Sequence, residues 1–470
     1  MNDLESALSA IRDAVGPKGW LDGESDLEPY VTEMRGLWRG HCDAVVSPAS
    51  TAETAAVVTI CNGAGIPIVA HGGNTGLVGG GVPDGGIVLS THRMNAVRQI
   101  DPVNFTMTVE AGCILADVQT AAAEADRLFP LSLAAEGSCR IGGNLATNAG
   151  GVQVLRYGNA RDLVLGLEVV TADGRIWDGL TALRKDNTGY DLKHLFIGSE
   201  GTLGIITAAV LKLFPLPKRH DTALAGAASA DAMLALFTRI NSALGGRLSG
   251  FEYINRLSLE AVLNEIPGAV DPFKMAYPAY ALIELSSLAE HDGAREALEE
   301  ILSEALDDEV IIDAVVAQNE SQSNKLWHLR ESIPEALRLG GASIKHDVAV
   351  PVSRVAEFLR RAGKLVETEI PGVRPTAFGH MGDGNIHYNL SPPPDMAEDA
   401  FLALWEDINH KVHDLVAEMG GSFSAEHGVG LMKRGELARF KSTTEIDMMR
   451  AVKAALDPGN IMNPGKVLPE

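Results

Sequence analysis

The chain has 470 residues, 46% of them hydrophobic, which is enough apolar material to bury more than one core. Its 62 acidic and 39 basic side chains give a net charge of −23, which opposes binding to nucleic acid or to an anionic lipid surface. The longest apolar stretches are interrupted by charge, so no membrane span is expected. Because this negative net charge also repels small anions, a binding site for an acidic substrate must contain its own positively charged side chains.

The first residues and the cysteines indicate the compartment. Residues 1–16 have an amphipathic helical pattern with acidic side chains, which is not typical of a secretion or import signal. The four cysteines show no paired spacing, which is typical of reduced thiols rather than of disulfides or a thiolate zinc site. We therefore expect a cytoplasmic protein, with a homodimer left open as its oligomeric state.

Changes in pattern divide the chain into three segments and predict an α+β fold. Residues 1–217 alternate short β-type runs with alanine-rich helices, and the sequence PLPKRHD interrupts this pattern. Residues 218–420 carry longer helices, such as Ala230 to Leu244, between strands. Residues 421–470 regain glycine motifs. We expect a cofactor domain, a second domain, and a C-terminal segment that returns to the first.

Two glycine-rich runs lie in the first segment. The first glycine run (residues 72–86) lies between two strand-like runs and no helix follows it, which argues against a Rossmann motif. Its backbone N–H groups could bind a pyrophosphate, although tight hairpin turns would use the same residues. The second glycine run (residues 136–158) adds small polar side chains suited to a flat heterocycle. Two such loops favour cofactor binding over turns alone.

Two histidine motifs predict a divalent-metal site. GHMGDGNIHYNL places His380 and His387 on either side of a turn, so that a hairpin could bring the two imidazoles together. Asn389 shares a strand face with His387. SAEHGVG supplies the carboxylate of Glu426 beside His427. Two histidines and a glutamate suit Zn²⁺ with positions open for substrate, and Mn²⁺ or Fe²⁺ can use the same set. Taken singly, such histidines are more commonly ordinary loop residues.

Four motifs, in this order, resemble the FAD-binding fold of the vanillyl-alcohol-oxidase type: PIVAHGGNTGLVGGG, GSCRIGGNLATNAGG, GSEGTLGIIT and the terminal NPGKVLP. Within that superfamily the chain resembles, over essentially its whole length, the branch of D-2-hydroxyglutarate and D-lactate dehydrogenases. The resemblance implies a two-part FAD-binding domain, an α+β substrate (cap) domain, and a C-terminal segment that completes the FAD site.

The resemblance also assigns residues to FAD. It implies noncovalent FAD, although His71 lies where some members of the superfamily attach the cofactor covalently. The residues implied at the pyrophosphate are Gly72, Gly73, Asn74, Thr75, Gly76, Gly79 and Gly80. Those implied at the flavin or its ribityl chain are Ser138, Gly142, Gly143, Asn144, Thr147, Asn148 and Gly150, and those that would close the site are Glu200, Ile206 and Asn463.

The metal and substrate residues follow from the same resemblance. GHMGDGNIH and EHGVG resemble the family's metal motifs, which implies His380, His387 and Glu426 as ligands, with zinc as the expected ion. The residues implied in catalysis are His427, Arg330, Lys345 and Asn389. In these roles His427 removes the proton of the substrate hydroxyl, while Arg330 and Lys345 hold carboxylate groups.

The implied reaction oxidises a D-2-hydroxy acid, preferably D-2-hydroxyglutarate, to the 2-oxo acid by hydride transfer to flavin N5. A quinone, a cytochrome or an electron-transfer flavoprotein would then accept the electrons. By the same resemblance, Pro334 stands where D-2-hydroxyglutarate dehydrogenases often have a hydroxyl residue. A D-lactate dehydrogenase or a glycolate-type oxidase therefore stays an alternative function. A metal-dependent hydrolase without flavin is a remoter alternative, and the intact histidine motifs argue against an inactive flavin-bearing subunit.

Overall fold

The computed structural model describes residues 3–469, which form two compact units. The first unit contains the chain up to Gly151, then Gly158–Leu216, and again the chain from Glu426 onward. The second unit contains Val152–Tyr157 and Pro217–Ala425. Within residues 3–469, no helix has both the length and the hydrophobicity that crossing a bilayer requires.

The helices alternate with strands along the whole chain. The α-helices of the described residues are α1 (Asp3–Val15), α2 (Glu24–Val31), α3 (Thr51–Ala64), α4 (Leu115–Glu124), α5 (Ile141–Ala146), α6 (Val154–Tyr157), α7 (Lys193–Phe196), α8 (Ala230–Leu244), α9 (Arg256–Glu265), α10 (Ala294–Asp307), α11 (Glu320–Glu331), α12 (Ile333–Leu339), α13 (Val355–Glu369), α14 (Glu398–Leu402), α15 (Trp405–Glu418), α16 (Arg434–Phe440) and α17 (Thr443–Leu456). The predicted helix from Ala230 to Leu244 is confirmed; it is capped by Ser229, whose side chain accepts the N–H of Ala232.

The strands pair within each unit. They are β1 (Trp20–Leu21), β2 (Ala44–Val46), β3 (Ile68–His71), β4 (Ile87–Ser90), β5 (Val97–Asp101), β6 (Thr106–Glu110), β7 (Arg127–Leu128), β8 (Val164–Thr171), β9 (Ile176–Gly179), β10 (Gly204–Lys212), β11 (Phe214–Pro215), β12 (Arg219–Ala227), β13 (Leu248–Asn255), β14 (Ala279–Ser287), β15 (Asp313–Val316), β16 (Asp347–Ala349), β17 (Arg374–His380) and β18 (Asn385–Ser391).

The first unit is built around two larger sheets. In the four-stranded sheet, of order β1-β2-β4-β3, the strands β2, β4 and β3 are parallel, and α1 and α3 cover it with side chains such as Ile11 and Val58. The second sheet is antiparallel, with the order β5-β6-β10-β8-β9. As predicted, the first glycine run joins two strands, β3 and β4. Because these strands are parallel, the run is not a hairpin turn.

The second glycine run departs from the predicted loop. Ile141–Ala146 form the short helix α5, although two glycines lie within it. A Cβ atom on Gly142 would lie 2.7 Å from the Cβ of Ala111, so only a glycine allows this close packing. The loop prediction was wrong over these residues because tertiary packing outweighs the low helix propensity of glycine.

The second unit has one seven-stranded antiparallel sheet of order β15-β12-β14-β13-β17-β18-β16. Helices α8, α10, α13 and α15 pack on one face through residues such as Phe237 and Phe358. Helices α9, α11 and α12 pack on the other, the α11 face, through residues such as Leu259 and Leu329. Side chains alternate between the faces along each strand, so every second residue of β13, β17, β18 and β16 projects from the α11 face.

Candidate active site

The two glycine runs of the first unit pack against each other backbone to backbone. A Cβ atom on Gly73 would lie 2.3 Å from the carbonyl oxygen of Ser138, and one on Gly72 would lie 3.2 Å from the amide nitrogen of Gly143. Side chains at these two glycines would therefore push the runs apart. Glycine is therefore required at these two positions by the close contact between the two runs.

We expect Gly73→Ala to purify with little FAD, because the added methyl group must displace the second glycine run. The measurement is the flavin-to-protein ratio, taken with the melting temperature. Gly63→Ala is the control, since Gly63 lies in α3 and an added Cβ atom meets nothing within 4 Å. The control should keep its FAD and be neutral or up to about 1 kcal/mol more stable. Full FAD occupancy in Gly73→Ala would contradict the expectation.

A cavity in the first unit is lined by both glycine runs and by Glu426 and His427. Most residues that the sequence assigns to FAD line this cavity: Gly72, Gly73, Asn74, Thr75, Gly76, Gly79, Gly80, Gly142, Gly143, Asn144, Thr147, Gly150, Glu200 and Ile206. The cavity thus brings the predicted base His427 to the same space as the predicted flavin residues.

Three of the residues assigned to FAD make other contacts. Asn463 Nδ2 donates to the carbonyl oxygens of Gly80 (2.9 Å) and Glu200 (2.8 Å), which attaches the C-terminal segment to the first glycine run. Asn148 Oδ1 accepts the N–H of Arg161 at 2.9 Å. Ser138 is exposed, and its hydroxyl donates to a backbone oxygen. These three residues are outside the lining of the cavity.

Glu200 holds the loop that carries Glu426 and His427. Its Oε1 accepts the N–H of Val429 at 2.7 Å, and its Oε2 accepts that of Gly430 at 2.8 Å. Desolvation raises the pKa of Glu200, against the lowering effect of these two donors. The sequence assigns Glu200 to the cofactor, whereas its carboxylate contacts in the first unit are with the backbone of this loop.

His71 lies at the end of β3 and is 3% exposed. Its Nε2 lies 2.5 Å from the carbonyl oxygen of Gly81, within the first glycine run. Burial lowers the pKa of His71, so a neutral ring donates from Nε2 to this oxygen. The His71 side chain, at the end of β3, therefore stabilises the first glycine run through this hydrogen bond.

In the second unit, the predicted hairpin is confirmed as β17 and β18, and its two histidines come together. Phe378 of β17 pairs with His387 of β18, and the ring centroids of His380 and His387 are 5.8 Å apart. Neighbours of His387 along β18, such as Ile386, pack in the cluster on the opposite face. Both histidines and Asn389 therefore project from the α11 face.

Each histidine has a buried carboxylate directly opposite on the neighbouring strand. Glu252 of β13 pairs with His380, and Asp347 of β16 pairs with His387. The Oε1 of Glu252 lies 2.7 Å from His380 Nδ1, and Asp347 Oδ1 lies 3.8 Å from His387 Nδ1. Carboxylates at Nδ1 leave Nε2 as the nitrogen for a metal, and this pairing is a common support of metal-binding histidines. His380 has this support as a hydrogen bond, whereas Asp347 lies near His387 at ion-pair distance only, and the two imidazoles on one face fit a divalent ion such as zinc.

The predicted substrate-binding cation Arg330 lies on α11 in an ion pair with Glu252. Arg330 Nε and Nη2 donate to Glu252 Oε2 at 2.8 and 2.7 Å, and Arg330 is 5% exposed. Burial alone would raise the pKa of Glu252, but the charge of Arg330 and the hydrogen bonds from His380 and Arg330 hold it well below its usual value. The charge of Arg330 is therefore balanced within the protein.

Lys345 and Pro334 both lie close to the start of a regular element. Lys345 is exposed and follows Ile344, which forms an isolated bridge with Leu390 of β18, and β16 begins at Asp347. Pro334 lies in the first turn of α12, where the ring costs no helical hydrogen bond. Pro334 therefore favours the start of α12 and offers no hydroxyl group there.

Sequence reasoning missed Glu252 and Asp347. Both carry charges inside otherwise apolar strand-type runs, LSGFEYIN and HDVAV, and both are 3% exposed or less. A charged residue in a buried strand is rare unless it is paired, and this was the available signal. The partner could not be identified, because the register of β13 against β17 is not readable from either strand alone.

Two domain families match the chain. The FAD binding domain matches residues 42–179, and the C-terminal domain of FAD linked oxidases matches residues 216–467. The solved structure of p-cresol methylhydroxylase with substrate bound is similar, with a TM-score of 0.79 and 16% identity over 99% of this chain and 97% of that one. The protein is therefore an FAD-linked oxidoreductase with the vanillyl-alcohol-oxidase-type fold, as predicted.

Named relatives narrow this class. The mitochondrial D-2-hydroxyglutarate dehydrogenase of Arabidopsis thaliana is 38% identical over 469 residues, covering 98% of this chain and 81% of the relative. The D-2-hydroxyglutarate dehydrogenase of Xanthomonas citri pv. viticola is 38% identical over 467 residues, covering 99% and 96%. The chain belongs to the D-2-hydroxyglutarate dehydrogenase family.

Proposed function

We propose that the protein oxidises D-2-hydroxyglutarate to the 2-oxo acid, with FAD as hydride acceptor and a divalent metal as Lewis acid. The observation that carries the proposal is the identity of 38% to D-2-hydroxyglutarate dehydrogenases over nearly the whole chain. Its geometric support in the first unit is the cavity that His427 lines together with the residues assigned to FAD.

The chain's own residues bind the substrate and move one proton. When bound, FAD would supply the hydride acceptor for C2, and a metal held by His380, His387 and Glu426 would lower the pKa of the substrate hydroxyl. His427 accepts the hydroxyl proton as general base. Arg330, Lys345 and Asn389 orient the carboxylates so that C2 lies at the reacting distance. Because the charge of Arg330 is balanced by Glu252, Lys345 is the proposed source of the additional positive charge that the net charge of −23 calls for, while Arg330 offers its remaining N–H donors.

We propose that FAD is bound without a covalent bond. His71, the residue where attachment is conceivable, uses Nε2 to hold the first glycine run and is neutral and buried. Acid precipitation should therefore leave no flavin on the protein, whereas yellow colour in the washed pellet would identify a covalent link.

The proposed metal ligands are His380, His387 and Glu426, with zinc as the ion. Support comes from His380, which is hydrogen-bonded to Glu252, from His387, which has Asp347 at 3.8 Å, and from the EHG motif that carries Glu426. We expect one metal ion per wild-type chain and less than a tenth of that in His387→Ala, because Zn²⁺ with two remaining ligands is held weakly. Elemental analysis measures both. Equal metal content in the two proteins would remove His387 from the site.

The substrate proposal is tested by anaerobic flavin bleaching and by kcat/KM. We expect D-2-hydroxyglutarate to exceed D-lactate, because it has a second carboxylate for the second of the two proposed cations, Arg330 and Lys345, and D-malate is measured as a shorter dicarboxylate. Lys345→Ala should lower kcat/KM for D-2-hydroxyglutarate about tenfold or more, the value of a hydrogen bond to a charged group, and should affect D-lactate less.

A wild type that prefers D-lactate, or a Lys345→Ala variant that harms all three acids equally, would favour a D-lactate dehydrogenase. A preparation that is colourless would point to the hydrolase alternative. The electron acceptor is proposed to be a quinone, a cytochrome or an electron-transfer flavoprotein, and the cytoplasmic location stays a prediction.

A further inference from the structure

One carboxylate in the second unit contacts both a proposed metal ligand and a proposed substrate-binding residue. Glu252 lies opposite His380 in the register of β13 and β17, and its Oε1 is 2.7 Å from His380 Nδ1. Its Oε2 accepts two N–H groups of Arg330, at 2.8 and 2.7 Å. Glu252 is 1% exposed, so bulk water does not compete for either contact.

The contact with His380 selects one form of the imidazole. An ionised carboxylate only accepts hydrogen bonds, so Nδ1 of the ring carries a proton, and in the neutral imidazole the lone pair is then on Nε2. This is the tautomer that a metal ion requires at Nε2. The carboxylate also fixes the ring plane and raises the basicity of the ligand.

The contact with Arg330 fixes the direction of the guanidinium group. Two N–H groups bind one oxygen, and the group also lies 4.9 Å from the ring centroid of Phe378. Because the guanidinium is planar and rigid, holding one edge and one face determines where its other N–H groups point. A single carboxylate therefore orients both a histidine of β17 and an arginine of α11.

We infer that Glu252 is a positioning residue that holds His380 for the metal and Arg330 for the substrate carboxylate. The inference rests on the proposed metal-assisted function. Glu252 acts through its two neighbours and needs no contact with metal or substrate. Its removal is expected to weaken metal binding and substrate binding together while FAD stays bound.

The test is the Zn²⁺ dissociation constant of the purified FAD-loaded protein, measured by competition with a chelator. Glu252→Gln should raise this constant 10- to 100-fold, the usual cost of losing the partner of a metal-binding histidine. KM for D-2-hydroxyglutarate should rise as well, with the flavin-to-protein ratio unchanged. A dissociation constant within twofold of the wild type would overturn the inference.

Glu284→Gln is the matched control. Glu284 lies on β14, next to β13, and its neighbours Ile283 and Leu285 pack in the cluster on the opposite face, so it projects from the α11 face like Glu252. Its carboxylate accepts hydrogen bonds from Trp327 and Ser249, each at 2.8 Å, rather than from a proposed ligand. The same substitution there should leave the Zn²⁺ dissociation constant unchanged, and an equal rise in both variants would overturn the inference.

A double-mutant cycle separates positioning from general damage to the fold. If Glu252 acts through His380, Glu252→Gln added to His380→Ala should change the Zn²⁺ dissociation constant less than twofold; additive effects would overturn the inference. Glu252→Asp, which keeps the charge but retracts it by one methylene, is measured in parallel in case the Gln variant does not fold. Weaker Zn²⁺ binding with full FAD in the Asp variant supports the inference, and wild-type binding overturns it.

Different Zn²⁺-binding results would contradict the proposed metal site and the proposed role of Glu252. A wild type that binds no Zn²⁺, or that binds it as tightly as His380→Ala does, overturns the metal site and the inference together. A tight wild-type site that depends on His380 but not on Glu252 overturns the inference alone.

Discussion

His427→Ala should slow flavin reduction about 10²- to 10⁴-fold in a single anaerobic turnover, the usual range for the loss of a general base. His427 lines the same cavity of the first unit as the residues assigned to FAD, on a loop that Glu200 holds through two backbone N–H groups. Removing the imidazole leaves those backbone contacts in place. Stopped-flow absorbance of the flavin after mixing with D-2-hydroxyglutarate measures the rate.

FAD and metal content should be unchanged in His427→Ala, because the variant removes neither a ligand nor a glycine contact. His291→Ala is the control, since His291 is exposed in the second unit and takes part in none of the proposed steps. Its reduction rate should equal that of the wild type. A wild-type rate in His427→Ala would show that another group takes the proton.

Arg330→Ala should destabilise the second unit by about 3 to 5 kcal/mol, the usual cost of leaving one member of a buried ion pair without its partner. Arg330 and Glu252 have side-chain exposures of 6% and 1%, so water cannot replace the lost contact. For a unit of this size the effect corresponds to roughly 6 to 20 °C in melting temperature. Calorimetry of the metal-free protein is the measurement.

Arg338→Ala is the comparison. Arg338 also pairs with a glutamate, Glu335 at 3.0 Å, but both side chains are more than half exposed, so the loss should stay below about 1 kcal/mol. Adding Glu252→Gln to Arg330→Ala should recover part of the stability, since no uncompensated charge then stays buried. Equal melting temperatures for Arg330→Ala and Arg338→Ala would contradict the assigned strength of the buried pair.

Much of the local structure was readable from the sequence. The loop between β3 and β4 and the hairpin of His380 and His387 follow from strand-type runs on either side of glycine-rich turns, and local residue patterns decide both. The family and the FAD-linked chemistry were also predicted correctly, because the glycine motifs have few alternative uses when they occur in this order.

The structural features that the sequence did not predict depend on tertiary contacts. Paired glycines predict a loop, but the close approach of Ala111 to Gly142 accompanies a helix there. The resemblance assigns Arg330 to a substrate carboxylate, and no local pattern reveals that a glutamate 78 residues earlier pairs with it as well. Strand register brings Glu252 opposite His380, and no local pattern contains that information.

The discontinuous composition of the first unit has a consequence during synthesis on the ribosome. Ile68 of β3 forms a bridge with Met462, and Asn463 binds the backbone of Gly80 and Glu200, so early and late stretches of the chain complete one core. Between Leu216 and Glu426 the whole main segment of the second unit must emerge first. At about 5 to 20 residues per second this takes roughly 10 to 40 s. During that interval the nascent glycine runs lack their final partners, which makes this the period when chaperone binding would matter most.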